Sequence, residues 1–212
     1  MSLDLTGDLV ALFRHVVDVE SVSGNESELA DLVEAALRGF PHLDVSRDGD
    51  TVVARTGLGR AQRVVIAGHL DTVPVAGNLP SRIEGDLVFG RGTSDMKGGV
   101  AVALACAAQL SAPNRDVTWI FYDHEEVAAE DNSLTRIARE HPEWLAGDFA
   151  VLMEPTSAGV EGGCQGTMRF TLTTRGVAAH SARSWLGHNA IHDLVDPLAR
   201  LRDYRPREVG VD

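Results

Sequence analysis

Histidine and carboxylate side chains recur along this chain in four short clusters. They are Gly68-His69-Leu70-Asp71, Thr93-Ser94-Asp95-Met96-Lys97-Gly98-Gly99, Asp123-His124-Glu125-Glu126 and Met153-Glu154-Pro155, at intervals of 26 to 30 residues. That interval is about the length of one strand–helix–strand unit. In an open α/β sheet such units deliver their strand ends to one edge, where ligands bind, so spacing alone lets distant carboxylates converge. Imidazole and carboxylate donors without cysteine suit zinc in a catalytic site, where one coordination position stays open for water. His69 and Asp71 are two residues apart, so both side chains point the same way in extended chain. Asp71 can then hold the His69 imidazole and fix its tautomer. Asp95 has two oxygens with which to bridge two ions. Glu125 and Glu126, adjacent at a strand end, project in different directions, so one can bind metal while the other stays free as a base.

The elements needed to position these residues can be read from apolar periodicity. Residues 5–19 carry apolar side chains at helical spacing, and Ser23 or Asn25 caps a second helix over 26–40. Two short strands, 43–46 and 51–55, flank Asp48-Gly49-Asp50. The continuous apolar run at 63–68 reads as a strand buried on both faces. A helix over 97–110 is apolar on nearly every side; strand 117–122, helix 134–140 and strand 149–153 follow. The alternation indicates an α/β domain with a mixed sheet flanked by helices, spanning 1–166. Beyond it, 168–174 alternates apolar and polar residues like a half-exposed strand, and 189–201 reads as an amphipathic helix. Residues 167–212 are therefore expected to begin a second, α+β domain that is incomplete.

With 212 residues, 44% of them hydrophobic and 24% charged, the composition is that of a soluble globular protein. The formal charge of −12, with Lys97 the sole lysine, argues against nucleic acid and against anionic membranes. No apolar run reaches the roughly 18 residues needed to span a bilayer, and no export signal opens the chain, so a cytoplasmic location is expected. Cys106 and Cys164 are too few for a disulfide framework and are expected to be free thiols. No GxxxxGK[ST] or GxSxG pattern is present, which disfavours phosphate-loop and serine-hydrolase chemistry.

His69-Leu70-Asp71-Thr72-Val73-Pro74, Gly90-Arg91-Gly92-Thr93-Ser94-Asp95-Met96-Lys97-Gly98-Gly99, Glu125-Glu126 and Glu154-Pro155-Thr156 together resemble the two-zinc aminoacylase and carboxypeptidase family. That family includes acetylornithine deacetylase and succinyl-diaminopimelate desuccinylase. The resemblance implies a zinc-exopeptidase-like catalytic domain followed by a lid and dimerisation domain. It implies two zinc ions, with cobalt able to substitute: His69 and Glu154 on one, Asp95 bridging, Glu126 on the second. Glu125 would be the general base, Asp71 the partner of His69, and His180 a lid residue that stabilises the oxyanion in the partner subunit of a homodimer. A non-proline cis peptide between Asp95 and Met96 is implied as well.

The stretch from Val73 to Arg82 is similar to the desuccinylase members in particular. It implies removal of the succinyl group from N-succinyl-LL-2,6-diaminopimelate, a small N-acyl amino acid, in lysine and diaminopimelate synthesis. Two alternatives stay open: acetylornithine deacetylase or a related N-acyl amino-acid hydrolase, and a fragment that binds one zinc without turnover. The latter is motivated by a second-zinc histidine that relatives carry near their C-terminus. His124 departs from the aspartate common at that place in relatives, and is read as a packed histidine or a partner of the site.

Overall fold

Strand β3, Arg63–His69, and strand β6, Asp116–Tyr122, are the apolar runs around which the computed structural model of this protein is built. It describes residues 2–163, 168–208 and 210. All seven residues of β6 are buried, and its side chains divide by parity. Val117, Trp119 and Phe121 join one core, while Ile120 and Tyr122 join another on the opposite face. A strand in the middle of a sheet with helices on both sides needs apolar residues at every position.

Three more strands complete the five-stranded sheet: β1 (Asp44–Asp48), β2 (Thr51–Arg55) and β7 (Phe149–Leu152), in the order β1-β2-β6-β3-β7. The β1–β2 and β2–β6 pairs are antiparallel, whereas β6–β3 and β3–β7 are parallel, so the sheet is mixed as expected. On the first face lie helices α1 (Leu9–Asp18), α2 (Ser27–Leu37) and α3 (Gly98–Gln109), which bury Leu12, Val16, Leu29, Val33 and Leu104. On the second, α4 (Ser133–Glu140) and α5 (Pro142–Leu145) set Ile137 and Trp144 against Val53 and Val65. The carboxylate of Asp8 accepts the N–H of Ala11 at 2.8 Å and starts α1.

The described residues fall into two units, 1–160 and 161–212. The second departs from expectation. Residues 168–174 form no strand, because a ladder needs a partner and none pairs with them among the described residues. The helix expected over 189–201 starts only at Val195 (α6, Val195–Arg202), after one 3₁₀ turn at His192–Leu194. Pro197 accounts for this: proline is tolerated in a first turn but not in a helix interior. None of the described residues of this unit is buried. Cys106 is a half-buried free thiol, and Cys164 lies outside the described residues. A short hairpin, β4 (Arg82–Glu84) with β5 (Leu87–Phe89), was not expected. Among the described residues no helix is long and apolar enough to cross a membrane.

At the end of β6 away from the clusters, buried Asp116 anchors the loop leading into β3. It accepts the Thr56 hydroxyl and the Leu58 and Arg60 N–H groups, each at 2.8 Å. Burial pushes its carboxyl up, but these hydrogen bonds and the charge of Arg63 override it and hold the group at about 2. A folded-state value below the unfolded one stabilises above the unfolded value and is lost as pH falls through the folded one. Asp116→Asn should therefore lower unfolding free energy at pH 7 by about 2 kcal/mol, with a smaller deficit near pH 2. Urea denaturation at the two pH values checks this; an equal deficit at both would contradict it.

Candidate metal centre

Parallel pairing brings the clusters together. His69 ends β3 opposite Tyr122, the last residue of β6, and Ala67 of β3 is opposite Leu152, the last of β7. The Asp123–Glu126 turn and Glu154 therefore emerge beside His69 at the carboxyl edge of the sheet. Asp95 arrives from the turn that opens α3, and the Asp95–Met96 peptide is cis, as the resemblance implies. Gly99, in the first turn of α3, packs so close to Met153 that a side chain there would collide with the Met153 backbone. Glycine lets α3 approach the strand end that carries Glu154.

Donor atoms from His69, Asp95 and Glu126 lie within 4.8 Å of one another. The His69 ring is fully buried. Its Nδ1 is 2.9 Å from the Asp71 carbonyl oxygen and 3.4 Å from Asp71 Oδ1, and its Nε2 is 3.1 Å from Asp95 Oδ1. Glu154 stands outside that group, but its charge acts on His69. Burial pushes the imidazole down, and the hydrogen bond and charge of Asp71 more than offset this, raising it to about 9.

Asp71 does more than the sequence suggested. Its carboxylate accepts the Glu125 N–H at 2.9 Å on Oδ1, and the Glu126 N–H at 3.0 Å and Ser23 hydroxyl at 2.6 Å on Oδ2. One fully buried carboxylate thus contacts the His69 ring and holds the backbone of the paired glutamates at once. Burial alone would raise its pKa, but His69, Ser23 and the two N–H groups keep it at about 2.

Ser23, expected as a helix cap, is drawn here because residues 21–23 run beside 70–72. The Thr72 N–H donates to the Ser21 carbonyl at 2.9 Å, and the Ser23 N–H to the Thr72 carbonyl at 3.1 Å. The α2 N-cap is instead Glu26, whose carboxylate makes no cap bond. Fully buried, it accepts the His124 N–H at 3.3 Å. His124 adopts a left-handed backbone with φ of 62°, and its Nδ1 is 2.8 Å from Asp123 Oδ2. The same Nδ1 lies 3.5 Å from Glu26 Oε1, so the half-exposed ring is tied to two carboxylates beside the turn that carries the glutamate pair. No periodicity marks Ser23 or Glu26, since both act across sequence separations near fifty and a hundred.

Burial raises the Glu126 carboxyl, and the charge of Asp95 raises it further. Glu154 is also raised, first by burial and then by Asp95, Glu125 and Glu126 against the opposing effect of His69. Burial drives Tyr122 up, with the charges of Glu154, Glu125, Asp71 and Asp95 adding to it. Crowded carboxylates of this kind repel one another and favour a cation among them. Carboxylate oxygens with an imidazole nitrogen, and no thiolate, fit zinc. A cavity of about 350 Å³ adjoins the cluster, lined by Asp95 and Glu126 with residues 90–94 and Val73. A similar one, about 380 Å³, lies at the opposite sheet end near Arg63 and Phe149 and contains none of the cluster residues. His180 belongs to the second unit, where its Nδ1 accepts the Ala182 N–H at 3.1 Å.

Residues 65–198 match the model of peptidase family M20/M25/M40. The chain is 53% identical over 211 residues to a Mycobacterium tuberculosis protein carrying the name DapE, covering 99% of this chain and 60% of that one. It is 49% identical over 215 residues to succinyl-diaminopimelate desuccinylase of Corynebacterium glutamicum, covering 99% and 58%. The chain therefore spans about three fifths of the length of these relatives. Among solved structures, aminopeptidase PepT from Bacillus cereus is similar in fold, with a TM-score of 0.63 at 16% identity over 93% of this chain and 57% of that one.

Proposed function

The chain belongs to peptidase family M20/M25/M40, and from that premise we propose that it serves a zinc-dependent amide hydrolase that removes the succinyl group from N-succinyl-LL-2,6-diaminopimelate. The chemistry rests on one observation: His69, Asp95 and Glu126 converge while Asp71 fastens Glu125 beside them. The substrate rests on the likeness to the Corynebacterium glutamicum relative.

Family membership implies a divalent metal ion. In our reading His69 and Glu154 would hold one zinc and Glu126 a second, with Asp95 available to both. When bound, the metal polarises the amide carbonyl and acidifies water. The protein's own groups do the rest. Glu125 takes a proton from the attacking water and returns it to the departing amine. Asp71 fixes the His69 ring and, through two backbone N–H groups, the direction of Glu125 and Glu126. His180, supplied across a homodimer, supports negative charge developing on the amide oxygen. The reaction is taken to occur in the cytoplasm, on a small N-acyl amino acid.

Hydrolysis of N-succinyl-diaminopimelate and N-acetylornithine by the zinc-loaded protein tests the substrate assignment. The expected result is a preference of about a hundredfold or more in kcat/KM for the succinyl compound. Preference for N-acetylornithine would replace this reading with a deacetylase, and hydrolysis of neither would contradict it.

A further inference from the structure

Among the residues lining the cavity beside Asp95 and Glu126, Arg91 alone is cationic. Its Nε is buried without a hydrogen-bond partner, and among the described residues its guanidinium takes part in no ion pair. Arg47 and Arg63, by contrast, are committed: Arg47 contacts Asp31, Glu34 and Asp50, and Arg63 donates to Thr118 and to the Thr56 and Val117 carbonyls. Arg55 Nε is buried without a partner as well, but Arg55 does not line the cavity beside the cluster. Leaving a desolvated guanidinium nitrogen unmatched is unfavourable unless something else binds it.

The backbone holds Arg91 firmly in place. Its N–H donates to the Asn78 carbonyl at 3.1 Å. Gly92 follows with φ of 77°, and a Cβ there would lie 2.8 Å from Thr72 Cγ2. Arg91 is thus seated against the same turn that carries Asp71. Asp95 and Glu126 are the acidic groups of the cavity, and among the described residues neither pairs with Arg91, which leaves its guanidinium open to an anion entering the cavity.

We propose that Arg91 is a carboxylate anchor of the substrate pocket, binding a carboxylate of an anionic N-acyl amino acid beside the reacting amide. A planar fork of N–H donors matches a carboxylate in two-point contact, which an ammonium cannot reproduce. The inference rests on the amidase reading for the identity of its ligand.

Calorimetric titration of succinate into the zinc-loaded protein tests it, on wild type, Arg91→Gln and Arg91→Lys, with thermal midpoints confirming that each variant is folded. Arg91→Gln should weaken succinate binding about tenfold or more, and Arg91→Lys by a smaller factor. In turnover of N-succinyl-diaminopimelate, KM should rise by a similar factor while kcat changes by less than about threefold. Equal succinate affinity in wild type and Arg91→Gln, or no binding by wild type, would overturn the anchor. The two readings separate cleanly: succinate binding that needs Arg91, without hydrolysis, defeats the amidase reading alone, while hydrolysis indifferent to Arg91 defeats the anchor alone.

Discussion

Glu125→Gln should lower kcat for amide hydrolysis by about a thousandfold while leaving zinc affinity within about threefold of wild type. Glutamine has the same shape and leaves the Glu125 N–H to Asp71 Oδ1 bond, at 2.9 Å, in place. It cannot take up a proton, so the only function removed is transfer between water and leaving amine. In the proposed assignment Glu125 binds no metal, and the Asp71 bond that holds its backbone is kept, which is why metal affinity should survive. Steady-state kinetics with zinc calorimetry measures both quantities. Turnover within about tenfold of wild type would remove Glu125 from its role.

Asp71→Asn should act differently, weakening zinc binding about 10- to 100-fold and lowering kcat together. The carboxylate is fully buried and serves Ser23, Glu125 and Glu126 while flanking His69. An asparagine turns an N–H₂ group toward at least one of those donors and removes the charge that raises His69. Unfolding free energy should fall by about 2 kcal/mol as well, because a buried donor loses its acceptor. The pair of variants is diagnostic: Glu125→Gln loses turnover and keeps metal, and Asp71→Asn loses both. Unchanged zinc affinity in Asp71→Asn would show that His69 holds its orientation without it.

Much of this arrangement was legible because burial leaves periodic traces. β3 and β6 are continuous apolar runs, and the four clusters follow the elements that end at one sheet edge. The misses share a cause, which is that the deciding contact lies far away or is too short to have a period. The β4–β5 hairpin has three-residue strands joined by Gly85-Asp86, too short for an alternating pattern to stand out. Ser23 looked like a cap, and only the pairing of residues 21–23 with 70–72 delivers it to Asp71. The alternation at 168–174 was genuine, but Met168, Phe170 and Leu172 remain exposed, since periodicity states a preference and not a partner. Arg91 lay inside a recognised motif without a role, because an unmatched guanidinium becomes visible only once its surroundings are known.

If the cluster around His69 and Asp95 works as a zinc centre for amide hydrolysis, bound metal must control turnover. The most direct measurement is to strip the protein with a chelator, titrate zinc back, and follow hydrolysis of N-succinyl-diaminopimelate at each step. No turnover is expected without metal, and the rate should rise and saturate as the sites fill. Undiminished turnover in excess chelator, or saturated zinc binding with no hydrolysis, would contradict it.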